Sequence, residues 1–269
     1  MKNPYLIDEP TAISFSGGRT SAYMLWKCLE AHDGKLPDEA VVTFANTGKE
    51  MPQTLDFVQA CSDNWGVDIV WLEFVSRKKD PQVVNYKTAS RNGEPFDLLT
   101  SEKKYLPNPR MRFCTTELKI VPIQKYMSSI GHTDFITAVG IRADEPRRVA
   151  KQKAKDDYIV PLADDAVTIE TIRDFWGSQS FGLELPFMPD GTSNASNCDL
   201  CFLKGRQIRA SIMRENPTLA DWWIGQESKI GGRFRKDQTS YQDMKVIATD
   251  QPNLFDFGND ESISCFCGD

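Results

Sequence analysis

Apolar residues along this chain fall into short continuous runs separated by stretches of helical spacing. The runs at residues 12–15 (AISF), 40–45 (AVVTFA), 68–74 (DIVWLEF), 134–141 (DFITAVGI) and 158–162 (YIVPL) are predicted strands. Strands buried on both faces read in this unbroken way. Between them, Tyr23, Met24, Leu25 and Leu29, then Leu55, Val58 and Cys61, recur at the spacing of one helix face, with Pro52 tolerated in a first turn. Further helices are predicted over 116–127 and through Ile169, Ile172 and Trp176. Strand and helix alternating in this rhythm predict an α/β fold: a Rossmann-like, parallel five-stranded sheet with helices on both faces and right-handed crossovers. Residues 1–180 are expected to form that domain and 181–269 an irregular and helical C-terminal extension. The polar stretch 76–109, with RKKD, SRNGEP and SEKK, shows no strong period and is expected to be a mobile surface insertion facing the substrate.

Bulk properties narrow the class. The chain has 269 residues and a net charge of −6, which argues against a protein that grips nucleic acid unaided. No apolar run reaches the roughly 18 residues of a membrane span. The opening MKNPYLIDEPT lacks the apolar core of a secretory signal, so a cytoplasmic protein is expected. Seven cysteines in such a compartment point to metal, cluster or redox chemistry before disulfides. With only His32 and His132 present, neither a His-rich metal site nor a Ser-His-Asp triad is expected.

The densest chemistry lies at 14–21, SFSGGRTS. Ser14 lies in the first predicted strand, Ser16, Gly17 and Gly18 force a tight turn, and a helix opens at once. Glycines let backbone approach a ligand, and the hydroxyls of Ser16, Thr20 and Ser21 join the open N–H groups of a helix start. Arg19 adds a fork-shaped cation. The turn reads as a phosphate site. Neither G-x-x-x-x-G-K-S/T nor G-x-G-x-x-G is present. The turn resembles the S-G-G-x-D/T-S pyrophosphate loop (PP-loop) of the ATP pyrophosphatase and PAPS reductase superfamily.

The resemblance continues in order down the chain. The segment 43–58, TFANTGKEMPQTLDFV, is similar to the family's D-T-G-x-x-x-P-E-T stretch, with Asn46 and Gln53 replacing the acids and Thr47, Gly48, Pro52 and Thr54 matching. It implies that the backbone near Phe44 and Ala45 lies against adenine. Residues 114–123, CTTELKIVPI, resemble C-C-x-x-R-K-x-x-P-L, with Thr115 for the second Cys and Leu118 for the Arg. Lys119 keeps the phosphate-binding lysine. Gly140, Arg142, Glu145 and Arg148 follow the arginine-bearing loop of the family. The resemblance therefore implies that Arg19, Lys119 and Arg142 act on the phosphates of ATP with Mg2+, and that Gly140 and Arg148 flank the nucleotide.

The cysteines divide. Cys28 and Cys61 lie on apolar helix faces and read as packing residues. Cys114 and the C-x-x-C pair Cys198 and Cys201 match three of the four thiolates that hold a 4Fe-4S cluster in some relatives. Zinc and a redox pair at Cys198 and Cys201 are the competing readings. In the tail SCFCGD, Cys267 stands where sulfonucleotide reductases keep a nucleophile, without their flanking Glu and His. Three functions follow from the resemblance. One is an ATP pyrophosphatase that adenylates a substrate for sulfur incorporation, as in DNA phosphorothioation with a cysteine desulfurase partner. DNA is then met through partners or the basic cluster Arg233, Arg235 and Lys236. The others are an APS or PAPS reductase, and a nucleotide-binding regulatory subunit without catalysis.

Overall fold

The computed structural model describes residues 3–185 and 198–250. Strands β1 (Thr11–Ser14), β2 (Ala40–Asn46) and β3 (Ile69–Glu73) alternate with helices α1 (Arg19–Ala31) and α2 (Pro52–Trp65). There follow β4 (Gln82–Val84), α3 (Glu94–Lys103), the short turn α4 (Phe113–Thr115), a π-helical stretch Thr116–Ile120 and α5 (Val121–Ser129). The second half runs β5 (Ile136–Val139), α6 (Pro146–Lys153), β6 (Tyr158–Ile159), α7 (Pro161–Asp164) and α8 (Ile169–Gly177). Three helices close the described chain: α9 (Arg206–Glu215), α10 (Leu219–Ile230) and α11 (Tyr241–Asp250).

The sheet order is β4-β3-β2-β1-β5-β6, parallel throughout except for β4. The α/β class and the five parallel strands stand as expected, and a sixth, antiparallel edge strand is added. The chain moves outward from β1 to β3, then returns to β5 on the other side of β1. That reversal makes the β1/β5 boundary a topological switch point, where ligands sit beyond the carboxyl ends of strands.

Side-chain alternation sorts the core. Ile13, Phe15, Val42 and Phe44 face α1, α2 and α8 in the larger apolar cluster. Ala12, Ala45 and Leu72 face Ile123 and Met127 of α5 on the other side. A separate cluster joins Phe96 and Leu99 of α3, Leu118, the cysteine turn 198–203 and α9 to α11 around Trp223.

The expected mobile insertion at 76–109 is corrected here. It contains β4 and α3, and Phe96 and Leu99 are fully buried. Their i, i+3 spacing was hidden among charges, since only one narrow stripe of α3 is apolar. Thr100 ties α3 to α10 by donating to Gln226 Oε1 at 2.7 Å, and Lys229 pairs with Asp97 at 2.7 Å.

Candidate functional site

Ser14 ends β1 between Thr43 of β2 and Val139 of β5. The following turn is locked by its own hydroxyls: Ser21 Oγ accepts the Ser16 amide at 3.1 Å, lies 2.9 Å from Ser16 Oγ and donates to the Gly18 carbonyl at 3.0 Å. Gly17 has φ +80°, and a Cβ there would stand 2.7 Å from Thr54 Cγ2. Only glycine fits. Gly18 is the N-cap of α1, no side chain caps that end, and its first turn carries no acidic residue. The opening N–H groups and the positive end of the helix dipole therefore remain for an anion.

Gly140 serves the same turn from β5, since a Cβ there would meet the Ser21 backbone at 3.0 Å. Arg142 donates to Thr20 Oγ1 at 3.3 Å and pairs with Asp144 at 2.9 Å. Its backbone amide donates to Glu145, which also pairs with Arg148. These candidates converge on the start of α1.

Beside them a cleft of about 560 Å³, open mouth included, is lined by Ser14, Ser16, Ala45, Lys119, Val139 and Tyr158 among others. It lies over the β1/β5 switch point, where open α/β sheets bind their ligands. Ala45 faces it, whereas the Phe44 ring turns to the opposite core and meets Trp71 at 4.8 Å. Lys119 reaches the cleft from the π-helical stretch, a local widening common at functional sites. Arg19 goes elsewhere. Its guanidinium donates to the Leu183 carbonyl at 2.7 Å and borders a second cleft with Trp176 and residues 179–185. Desolvation lowers its pKa from the ordinary arginine value.

The 46–50 loop is held by two carboxylates that sequence reasoning passed over. Asn46 donates to Glu73 at 2.6 Å and accepts the Gly48 amide at 3.1 Å, while Glu73 also accepts the Ser90 amide at 2.6 Å. An aspartate at position 46 would face Glu73 with like charge, so the asparagine suits its neighbour. Glu50 accepts the Thr47 amide at 2.9 Å and hydroxyl at 2.8 Å, and lies 3.7 Å from Lys119. The T-x-x-E spacing of Thr47 and Glu50 was the available signal.

The cysteine turn docks on that loop. Cys198 pairs with Glu50 in an isolated antiparallel bridge, and its Sγ lies 3.6 Å from Thr47 Oγ1. Asp199 forms a buried ion pair with Lys49 at 2.7 Å and accepts the Trp223 indole N–H at 2.7 Å. Lys49 lies over the Trp222 ring, 5.2 Å from its centre. Cys198, Cys201 and Cys114 border one apolar cluster, which gathers the three predicted thiols on one side of the molecule. Among the described residues, however, no three His, Cys, Asp or Glu side chains are placed to hold a metal ion. The donor types suit a cluster, but their arrangement here does not form its site. Cys28 and Cys61 are buried packing residues as expected, and desolvation pushes the Cys28 thiol up to about 12. Cys267 lies outside the described residues. In the basic cluster at 233–236, Arg235 is turned inward, pairing with Asp237 at 2.7 Å and donating to the Phe202 carbonyl at 3.5 Å.

The family model of the phosphoadenosine phosphosulfate reductase domain matches residues 10–157, more than half of the chain. The chain belongs to that family. The matched span holds the turn at 16–21, the 46–50 loop, Lys119 and the Gly140–Arg142 turn, while the cysteine turn at 198–201 falls beyond it. An uncharacterized nin region protein of Escherichia phage lambda is 33% identical over 211 residues, covering 72% of this chain and 66% of the phage protein. An uncharacterized protein of Methanocaldococcus jannaschii is 28% identical over 163 residues, covering 59% of this chain and 29% of that protein. The chain thus spans just under two thirds of one relative and under a third of the other. Among solved structures, the U34-tRNA thiolase NcsA from Methanococcus maripaludis, described with its 4Fe-4S cluster, superposes with a TM-score of 0.40 at 15% identity, over 97% of this chain and 80% of that one. Among the described residues no helix is long and apolar enough to cross a membrane.

Proposed function

We propose that this PAPS-reductase-family chain binds ATP and activates an acceptor by adenylation for sulfur incorporation. The observation that carries the reading is the uncapped start of α1, with Gly17 and Gly18, beside a cleft that Lys119 enters over the switch point. The triphosphate tail lies against the N–H groups of residues 19–21, with Mg2+ spreading its charge, and the adenine enters the cleft beside Ala45. An acceptor oxygen attacks the α-phosphorus. The bond to the bridging oxygen breaks, pyrophosphate leaves with that electron pair, and the acceptor's proton passes to water. Loop amides and Lys119 stabilise the developing charge. A sulfur nucleophile then displaces AMP.

Cys114, Cys198 and Cys201 are the thiols available to carry sulfur as a persulfide, with Cys267 a further carrier and a cysteine desulfurase the matching sulfur donor. DNA is one acceptor of suitable chemistry. Leu118 is fully buried where the reductase pattern carries an arginine, and Thr115 is buried where it carries a second cysteine. Those two replacements set the adenylation reading ahead of sulfonucleotide reduction, which the family match keeps as the second reading.

Anaerobically purified protein, assayed for iron, zinc and acid-labile sulfide and for pyrophosphate release from ATP, tests the choice. Pyrophosphate released with iron and sulfide present supports adenylation and sulfur transfer. Sulfite from APS or PAPS with thioredoxin, and no ATP turnover, replaces it with the reductase. Turnover of neither nucleotide leaves a regulatory binding protein.

A further inference from the structure

Charge is distributed unevenly along this acidic chain. Between residues 77 and 112, nine lysines and arginines stand against four acids, although the whole chain carries a net −6. The structure folds this basic segment onto one place. Glu117, in the π-helical stretch two residues before Lys119, pairs with Lys103 at 2.7 Å and with Arg77 at 3.4 Å. Lys125 of α5 donates to the carbonyls of Arg77 at 3.1 Å and Lys79 at 2.6 Å, which fixes the 77–79 turn. Tyr105 packs its ring on Phe113 at 4.8 Å, and Asn108 Oδ1 accepts the amides of Arg110 and Met111 at 3.0 Å. Three basic stretches, 77–79, 103–105 and 110–112, are therefore tied around Phe113 and Glu117, within two residues of Cys114 and Lys119 in the chain.

What this surface shows to solvent is specific. Arg77, Lys78, Lys79, Lys104 and Arg110 are exposed, and Tyr105 is 40% exposed among them. The nearby acids do not cancel them: Glu117 is shared between two cations, Glu102 accepts the Arg77 amide, and Asp80 stands alone on the 77–80 turn. Separate cations around an exposed ring are the elements of a single-strand nucleic-acid platform, where phosphates meet cations and a base stacks on the ring. A smooth duplex surface has no use for the ring.

We propose that this face binds a single strand of nucleic acid and delivers it to the Cys114 and Lys119 side of the cleft. Binding itself is independent of the adenylation reading; only the fate of the strand, as acceptor of adenylate and then sulfur, rests on it. The surface is distinct from the 233–236 cluster, whose Arg235 is turned inward.

The test is fluorescence anisotropy of the full chain with labelled 20-mer RNA, single-stranded DNA and duplex DNA, over 50 to 300 mM salt. With four or five phosphates neutralised, log affinity should fall with log salt at a slope of about −3. The triple variant K78E/K79E/K104E, exposed throughout, should keep the wild-type melting curve and lose at least tenfold in affinity. Y105A should lose severalfold at every salt concentration, and R233E/K236E should stay within twofold of wild type. Tighter binding of RNA or of DNA identifies the strand, and either supports the proposal. No binding of either strand at 50 mM salt overturns it, as does equal loss in R233E/K236E. Duplex binding as tight as single-strand binding, or polyglutamate competing as well as an oligonucleotide, overturns it too. ATP binding, titrated separately on the same variants, should be unchanged, so loss of the nucleotide reading and loss of this one are told apart.

Discussion

The Lys49–Asp199 pair is the joint between the phosphate-side loop and the cysteine turn, and its removal has a calculable effect. Both side chains are nearly excluded from solvent, at 6% and 4% exposure. In K49M the thioether keeps most of the stem's packing against Gly93 and Trp222, but among the described residues Asp199 retains the Leu200 amide and the Trp223 indole as donors and loses the Lys49 cation. Breaking one side of a buried ion pair leaves an uncompensated charge and costs about 3–5 kcal/mol. D199N leaves the complementary orphan, an ammonium whose remaining neighbour is the face of the Trp222 ring, at a similar cost. The double variant K49M/D199N removes both charges and should recover about 2–3 kcal/mol relative to the summed single losses. Urea unfolding followed by tryptophan fluorescence reads this directly, because Trp222 and Trp223 adjoin the pair. The same variants should speed alkylation of Cys198 and Cys201 in the native state. Single variants that lose less than about 1 kcal/mol, or losses that simply add, would show that the turn is held by its apolar contacts instead.

Other consequences follow from particular contacts. N46D sets a second carboxylate against Glu73 in a buried position and should destabilise the fold by about 1–3 kcal/mol at neutral pH in chemical denaturation. Because burial pushes the Cys28 thiol up to about 12, peptide mapping after alkylation at pH 8 should find Cys28 unmodified until the protein is unfolded. Burial alone would raise the Asp97 carboxyl, but hydrogen bonds from Lys229 and Gln226 outweigh it and hold the pKa below the usual carboxylate range. A depressed carboxyl stabilises above its unfolded pKa, near 3.9, and that contribution fades as pH falls through the folded value. D97N should therefore flatten the acid limb of the stability curve below about pH 4, by less than about 1 kcal/mol since the pair is partly exposed.

Much of the α/β core was legible because strands buried on both faces write themselves as unbroken apolar runs, as in VVTFA of β2 and IVWLE of β3. The turn at 16–21 was legible as a turn opening a helix because glycines and hydroxyls cluster within six residues. Strand β4 and helix α3 escaped because each buries only a narrow stripe, Val84 in one and Phe96 with Leu99 in the other, beneath a charged exterior. The direction of Arg19 was not legible, since its acceptor is the Leu183 carbonyl and carbonyls leave no mark in a sequence. Nor was the Lys49–Asp199 pair, whose partners lie far apart in the chain and look, one at a time, like ordinary surface charges. The C-x-x-C spacing announced two thiols in one turn; that the turn docks on Thr47 and Glu50 is tertiary information.

The central claim is that a nucleotide lies on the turn at residues 16–21, and a calorimetric titration of ATP into the full chain tests it most directly, with G17A as the comparison. At φ +80° and 2.7 Å from Thr54, an alanine Cβ must displace the turn, at about 1–2 kcal/mol for the backbone conformation alone. The account predicts one ATP per chain for the wild type and at least tenfold weaker binding for a folded G17A. ATP binding that is absent from the wild type, or equal in the two proteins, would contradict it.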